Sequence, residues 1–465
     1  MPIKLTIIGS GPGGYVAAIR AAQQGARVTV IEEAAVGGTC LNWGCIPTKT
    51  LIASAEALEH VRSAADFGIE VSGTIEYNLE KIRSRKDKVV ALQAKGIRAL
   101  LKSWGVVFME GRGTLSAPNA VRVTQKDGTT TDIASDKIIL ATGSRPAKFP
   151  GFPFDGERVI TSDEAVQLKN VPKSILIIGA GVIGAEFAFI YRAFGAEVTM
   201  VEMLPRAIST EDEEMSDILE RELKKKKIKF VPNVKVESLT KDNEGLMIAK
   251  LSNGQEVKTE QVLVSIGRSL NSENLGLEDL GVNRGKRGEI VVNDRMETSI
   301  PGIYAIGDVT GKVMLAHVAS HQGLVAVDNA LGSDSRMDYT VVPAGILTMP
   351  EIGSVGLREQ QAREQGIAYK VGRFQFRGLG KAHAMGEITG MVKIIADEAT
   401  DKVLGVHICG AHATDLIHEG ALAMKMGATA RRLGSMIHAH PTLAEALMEA
   451  AEDVHKAAIH VPKQS

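Results

Sequence analysis

Two cysteines five positions apart, Cys40 and Cys45 in GGTCLNWGCIPTKT, are the residues here best suited to chemistry. A disulfide needs Cα atoms within about 7 Å, and a turn and a half of helix brings such thiols together. An isolated close pair in a cytosolic chain is more often catalytic or metal-binding than structural. Zinc is the rival reading, but a closed zinc site needs two further ligands, and no second cysteine pair is present. The third thiol, Cys409 in LGVHICGAHATDL, lies near His407 and His412, and strand alternation puts His407 and Cys409 on one face. Such a cysteine is commonly a buried free thiol, so no metal site is expected.

The elements that must position the pair begin upstream. LTIIGSGPGGYVAAIRAAQQGARVTVIEE places an apolar strand before Gly9, Gly11 and Gly14, then a helix, then a strand ending at Glu32. ILIIGAGVIGAEFAFIYRAFGAEVTMVEM repeats the design with Gly179, Gly181, Gly184 and Glu202, each acid the same distance beyond its first glycine. A lone G-x-G-x-x-G is weak. Strand, glycines, helix and terminal acid together read as a dinucleotide fingerprint, in which backbone N–H groups hold the pyrophosphate and the acid takes a ribose hydroxyl. Apolar strands ending near Gly143 in IILATGSRP and Gly267 in VLVSIGRSLN close the two halves. Asp308 in IYAIGDVTG follows another such strand, either as a turn residue or as a carboxylate for the sugar-like chain of a ligand.

At 465 residues the chain suits roughly three domains. Apolar residues at 44% and charged ones at 23% are ordinary for a globular protein and exclude collagen-like or disordered classes. Fifty-four basic against 55 acidic residues give no pull toward nucleic acid or anionic lipid. The Lys224–Lys227 run reads as the solvated last turn of a helix. No apolar run reaches the roughly 18 residues of a spanning helix, and Met1 leads into a strand without a secretory signal. A cytoplasmic chain with no membrane or nucleic-acid partner is expected.

In order and spacing, GSGPGG, GGTCLNWGCIPTK, ATGSRP, GAGVIGAEFA, AIGDVTG and HAHPTLAEAL resemble the pyridine nucleotide-disulfide oxidoreductase family over essentially the whole chain. The likeness is strongest to its members that oxidise dihydrolipoamide. It implies an α/β fold with two Rossmann-like dinucleotide-binding domains and an α+β C-terminal dimerisation domain. FAD would lie on residues 1–150, held by Gly9, Gly11, Gly14, Glu32, Lys49, Gly143, Asp308 and Ala316. NAD would lie on 151–271, held by Gly179, Gly181, Gly184, Glu202 and Gly267. Residues 272–340 would return to an FAD-binding central domain, and 341–465 would form the interface of a homodimer.

The resemblance also assigns roles. Cys45 would face the flavin, Cys40 would exchange with substrate sulfur, and Lys49 would pair with Glu186 nearby. Thiolate exchange needs a base, because a thiol of pKa near 8.5 is mostly protonated at neutrality. His440 would be that base in the partner's site, oriented by Glu445. Taken alone, Glu445 reads as the end of a TxxE capping box with Thr442, and His438 competes with His440.

The implied reaction passes electrons from a lipoyl dithiol through the Cys40–Cys45 disulfide and FAD to NAD. The carrier would belong to a 2-oxoacid dehydrogenase complex or be the glycine-cleavage carrier. Alternatives are an NADH-dependent reductase of another small disulfide, or a non-catalytic flavoprotein docking subunit. Retention of Cys40, Cys45, His440 and Glu445 argues against the latter. Relatives with a second C-terminal thiol pair do not fit the tail KAAIHVPKQS. NADPH users carry basic residues where this chain has Glu202 to Leu204, leaving only Arg206 nearby. Departures from the family pattern are Trp43 between the cysteines, Ser269-Leu270, and Val318 and His321 in LAHVASHQG.

Overall fold

A strand buried on both faces is mostly apolar, and in the computed structural model, which describes residues 1–462, Lys4–Ile8 is such a strand from Leu5 onward. It pairs in parallel with Arg27–Glu32 and with Lys137–Leu140. Val107–Glu110 and Ile303–Ala305 complete the sheet at its two edges. The second sheet repeats this order. Ser174–Ile178 lies between Glu197–Val201 and Gln261–Val264, with Lys229–Val231 and Val159–Ile160 at the edges. Each unit also carries a three-stranded antiparallel sheet inserted before the strand that rejoins the centre. The duplication seen in the glycines therefore extends to the whole domain.

The chain leaves the first unit through Ser144–Pro146 and returns through Arg268–Leu270, and these two segments pair antiparallel. Ser269-Leu270 thus belongs to the ribbon that joins the nucleotide units. Beyond it, Leu275, Leu277, Ile290 and Ile303 share one core with Leu5, Ile7 and Val30. Helix Ala316–Ala330 lies on helix Pro12–Gln23, and glycines allow the approach. A Cβ on Gly13 would fall 2.9 Å from the Ala319 carbonyl, and one on Gly323 would fall 2.8 Å from that of Gly13. Val318 is buried in this packing, whereas His321 faces solvent.

The last part of the chain is a five-stranded antiparallel sheet with helices Ala413–Lys425 and Glu445–Asp453 against it. Its strand Met391–Asp397 carries Lys393, 1% exposed, whose Nζ lies 2.8 Å from Asp212, 2.7 Å from Glu214 and 2.6 Å from Glu359. Asp212 caps helix Glu213–Lys225, so a buried ion cluster fastens the second nucleotide unit to the C-terminal sheet. At the far end of that helix the lysine run is not wholly a solvated face, because Lys226 pairs with Glu59 on helix Cys45–Arg62. Among the described residues no helix is long and apolar enough to cross a membrane.

Candidate active site

Cys40 lies in the short helix Gly38–Asn42 and Cys45 opens helix Cys45–Arg62. The two thiols are therefore not carried by one continuous helix, as their spacing suggested. Trp43 and Gly44 break it, and a Cβ on Gly44 would meet the Thr39 carbonyl at 3.0 Å and the Cys40 Cα at 3.3 Å. Glycine is what lets the chain fold back and bring the sulfurs together. Both thiols are free, and a hydrogen bond between them divides their acidities. That bond lowers the Cys45 thiol to about 7 against partial desolvation by its surroundings, with help from the Lys49 ammonium. The same bond, burial and the Cys45 charge push Cys40 strongly upward. A helix N-terminus also favours a thiolate at Cys45.

Lys49 is one turn beyond Cys45 on the same helix, hence on the same face. Its Nζ donates to both Glu186 oxygens, at 2.7 and 2.8 Å. Glu186 is buried on helix Val182–Ala193 and also accepts the Leu347 N–H at 3.0 Å. The pair thus ties the cysteine helix, the second nucleotide unit and the start of the C-terminal sheet into one place.

The glycines show what each fingerprint can hold. A Cβ on Gly9, with φ +104°, would strike the Ala141 carbonyl, and one on Gly14 the Gly9 carbonyl. Gly179 and Gly184 face the same collisions with Ser265 and Gly179. The middle glycines differ, because a Cβ on Gly11 would meet nothing nearer than 4.0 Å and one on Gly181 nothing within 4 Å. Protein packing does not demand glycine there; a pyrophosphate approaching the bare backbone at the helix start does. The residues present therefore fit a dinucleotide in each unit.

Glu32 accepts the Ser10 N–H and hydroxyl on one oxygen and the Ala34 N–H on the other. Glu202 accepts the Ala180 and Leu204 N–H groups, one per oxygen. A carboxylate has about four acceptor positions, so both acids brace their loops and keep capacity for a ribose hydroxyl. Arg206 is engaged by Glu213 at 2.8 Å. Gly143 and Gly267 have positive φ and open space before them at the ends of the closing strands. Asp308 lies in the short 3-10 turn Gly307–Thr310 and Ala316 opens the helix that follows.

Sequence reasoning missed three residues here. Ser144 donates its hydroxyl to Asp308, and Arg268 donates to Ser144 Oγ at 2.6 Å and to its carbonyl at 2.8 Å. Each directly follows a singled-out glycine, Gly143 or Gly267, and that adjacency was the available signal. Tyr15 is another, its hydroxyl held above the usual phenol range by burial and by the nearby Cys40 charge.

In the C-terminal part the two histidines separate. His438 has a side chain only 3% exposed and lies 2.8 Å from Glu419. His440 is 77% exposed, with Nδ1 2.9 Å from Glu445. An acceptor at Nδ1 places the ring proton there and leaves Nε2 facing outward to take one. Glu445 also accepts the Thr442 N–H at 2.8 Å. Burial raises its carboxyl, but these two donors more than offset that and hold it below its usual range. The capping-box expectation is half met: Thr442 gives its hydroxyl to the Ala439 carbonyl, and the helix begins at Glu445 with Ala444 as its cap. No hydrogen bond or ion pair joins His440 to either thiol within the described chain.

His407 and Cys409 are both fully buried, His407 bonded to the Leu357 carbonyl and Cys409 set among apolar side chains. Among the described residues no group of three His, Cys, Asp or Glu side chains is placed to hold a metal.

Residues 3–323 match the family described as pyridine nucleotide-disulphide oxidoreductase, and residues 342–451 match its dimerisation domain. Similar curated proteins include the dihydrolipoyl dehydrogenase of Bacillus subtilis, 44% identical over 98% of each chain. The mitochondrial dihydrolipoyl dehydrogenase of Sus scrofa is 44% identical over 96% of this chain and 89% of its own. Among solved structures, LpdA from Mycobacterium tuberculosis superposes with a TM-score of 0.91 at 31% identity, covering 97% of this chain and 99% of that one.

Proposed function

The chain belongs to the pyridine nucleotide-disulphide oxidoreductase family, and from that membership we propose that it oxidises a protein-borne dihydrolipoyl group to its disulfide while reducing NAD. The observation that carries this reading is the thiol pair: Cys45, with an acidity near neutrality, opens a helix whose next turn presents Lys49. FAD belongs to the first unit, with Gly9, Gly11, Gly14, Glu32, Lys49, Gly143, Asp308 and Ala316 around it. NAD belongs to the second, with Gly179, Gly181, Gly184, Glu202 and Gly267.

The protein steps follow from these side chains. In the oxidised enzyme Cys40 and Cys45 are joined. His440 of the partner subunit takes the proton from the incoming thiol, with Glu445 fixing the ring tautomer and stabilising the imidazolium. The substrate thiolate attacks Cys40 sulfur, the Cys40–Cys45 bond breaks, and Cys45 leaves as a thiolate held by Lys49. The second substrate thiol, deprotonated in turn, displaces Cys40 and closes the substrate disulfide, leaving the enzyme with two reduced cysteines. When bound, FAD takes the electron pair from a dithiol and passes it on as hydride, the only form nicotinamide accepts. Glu202, with Arg206 drawn to Glu213, favours the ribose hydroxyl of NAD over a 2′-phosphate.

Lipoyl carriers of a 2-oxoacid dehydrogenase complex or of glycine cleavage present the same dithiol, and the cytoplasm is where this chain would meet them. Anaerobic stopped-flow absorbance of the FAD-loaded protein with dihydrolipoamide, followed by NAD or NADP, tests the reading. The expected result is a long-wavelength thiolate–flavin band and then NADH, with no product from NADP. Reduction by NADH but not by dihydrolipoamide would instead support a reductase of another disulfide.

A further inference from the structure

The turn that carries Asp308, Gly307–Thr310, follows strand Ile303–Ala305, which pairs in parallel with Lys137–Leu140, the neighbour of Lys4–Ile8. It therefore lies at the carboxyl end of the first sheet, where dinucleotides collect. The backbone of the turn is fixed from the core. The Gly307 N–H donates to Oε1 of the fully buried Gln322 at 2.6 Å, and Gln322 Nε2 donates to the Tyr339 hydroxyl at 2.8 Å. The Thr310 hydroxyl closes on the Gly307 carbonyl at 2.8 Å.

The Asp308 side chain is held separately. Its Oδ2 accepts the Ser144 hydroxyl, while Oδ1 accepts nothing among the described residues. A serine hydroxyl has one proton and could turn it to another acceptor. Arg268 removes that freedom, because a guanidinium only donates: Nε gives to Ser144 Oγ at 2.6 Å and Nη2 to the Ser144 carbonyl at 2.8 Å. With a donor already on Oγ, the hydroxyl proton is left to point at Asp308. Arg268 Nε also lies 3.7 Å from Oδ2, and the two side chains are only 16% and 24% exposed, so water screens their attraction weakly. Arg268 directly follows Gly267 on the strand that pairs with Ser144–Pro146. Its guanidinium thus reaches the first unit from the end of the second.

We propose that Arg268 is a positioning residue for FAD: through Ser144 it fixes the Asp308 carboxylate so that Oδ1 meets a hydroxyl of the cofactor's sugar-like chain, a role that rests on FAD occupying the first unit. The test follows release of FAD from the loaded protein by the fluorescence of the freed flavin, and it needs no dithiol. Ser144→Ala should speed release about fivefold and Arg268→Met about tenfold. Arg268→Lys, which keeps the charge but not the fork, should fall between wild type and Arg268→Met. Asp308→Ala should itself release FAD faster, and in that background Ser144→Ala should change the rate less than about twofold, because the hydroxyl then has no carboxylate to fix. A merely structural role would speed release in both backgrounds alike. That result, or no effect of Ser144→Ala on its own, overturns the positioning role while leaving FAD at Asp308. Unaltered release from Asp308→Ala overturns the placement of FAD at Asp308 and the proposal with it. If the Asp308 variant takes up no FAD, Ser144→Ala and Arg268→Met close a second cycle, in which less than additive effects are expected and additive effects overturn the proposal.

Discussion

Cys45 and Lys49 face the same side of one helix because they are four residues apart, and that spacing adds the Lys49 charge to the larger effect of Cys40 on the thiol's acidity. Lys49 also neutralises Glu186, whose charge on its own pushes the thiol upward. Replacing Lys49 by Met removes a favourable charge and exposes an unfavourable one, so the Cys45 pKa must rise from about 7. The thiolate is the form present above the pKa, so its absorbance in the reduced protein, titrated against pH, should appear at higher pH in the variant. An unchanged midpoint would mean that Cys40 alone sets the acidity. Both cysteines and Lys49 were legible from the motif, whereas the break at Trp43-Gly44 was not. A spacing of five residues fits a helix, and only the contact of Gly44 with the Thr39 carbonyl decides otherwise.

Strand–glycine–helix elements were legible in full because their signal is local: apolar runs for buried strands and glycines where the backbone must turn. The separate duties of the glycines were not, since three identical residues conceal which one answers to packing and which to a ligand. Gly179→Ala forces a side chain into φ +98° with the Ser265 carbonyl 2.5 Å away, a strain of roughly 1–3 kcal/mol or more. Gly181→Ala adds a Cβ into open space at a φ of −72° that any residue adopts. Urea unfolding should therefore find the first variant destabilised and the second unchanged within about 0.5 kcal/mol. NAD saturation should show the reverse emphasis, with the Gly181 variant raising KM while folding normally. If Gly181→Ala leaves KM as it was, the bare backbone there is not a pyrophosphate cradle.

The assembled molecule depends on groups that look unremarkable in sequence. Lys393 reads as one polar residue in an apolar strand, yet it joins two domains through three carboxylates. Lys393→Met should cost about 3–5 kcal/mol, partly recovered in acid as Asp212 and Glu359, which Lys393 helps hold low, protonate; urea unfolding at two pH values measures this. The base raises a larger question of assembly. His440 is oriented by Glu445, strongly exposed, and unconnected to the thiols of its own chain. Residues 342–451 match a dimerisation domain, and Leu422, Met426 and Ile437 within it are exposed apolar side chains. A site built from the cysteines of one subunit and the histidine of the other makes a quantitative prediction. Cys45→Ser and His440→Gln dimers should each be nearly inactive with dihydrolipoamide. Unfolded together in equal amounts and refolded with FAD, they form about half mixed dimers, each with one intact site of two, so about one quarter of wild-type activity should return. If His440 served the cysteines of its own chain, every mixed dimer would hold two broken sites and no activity would return, which places the base by a single assay.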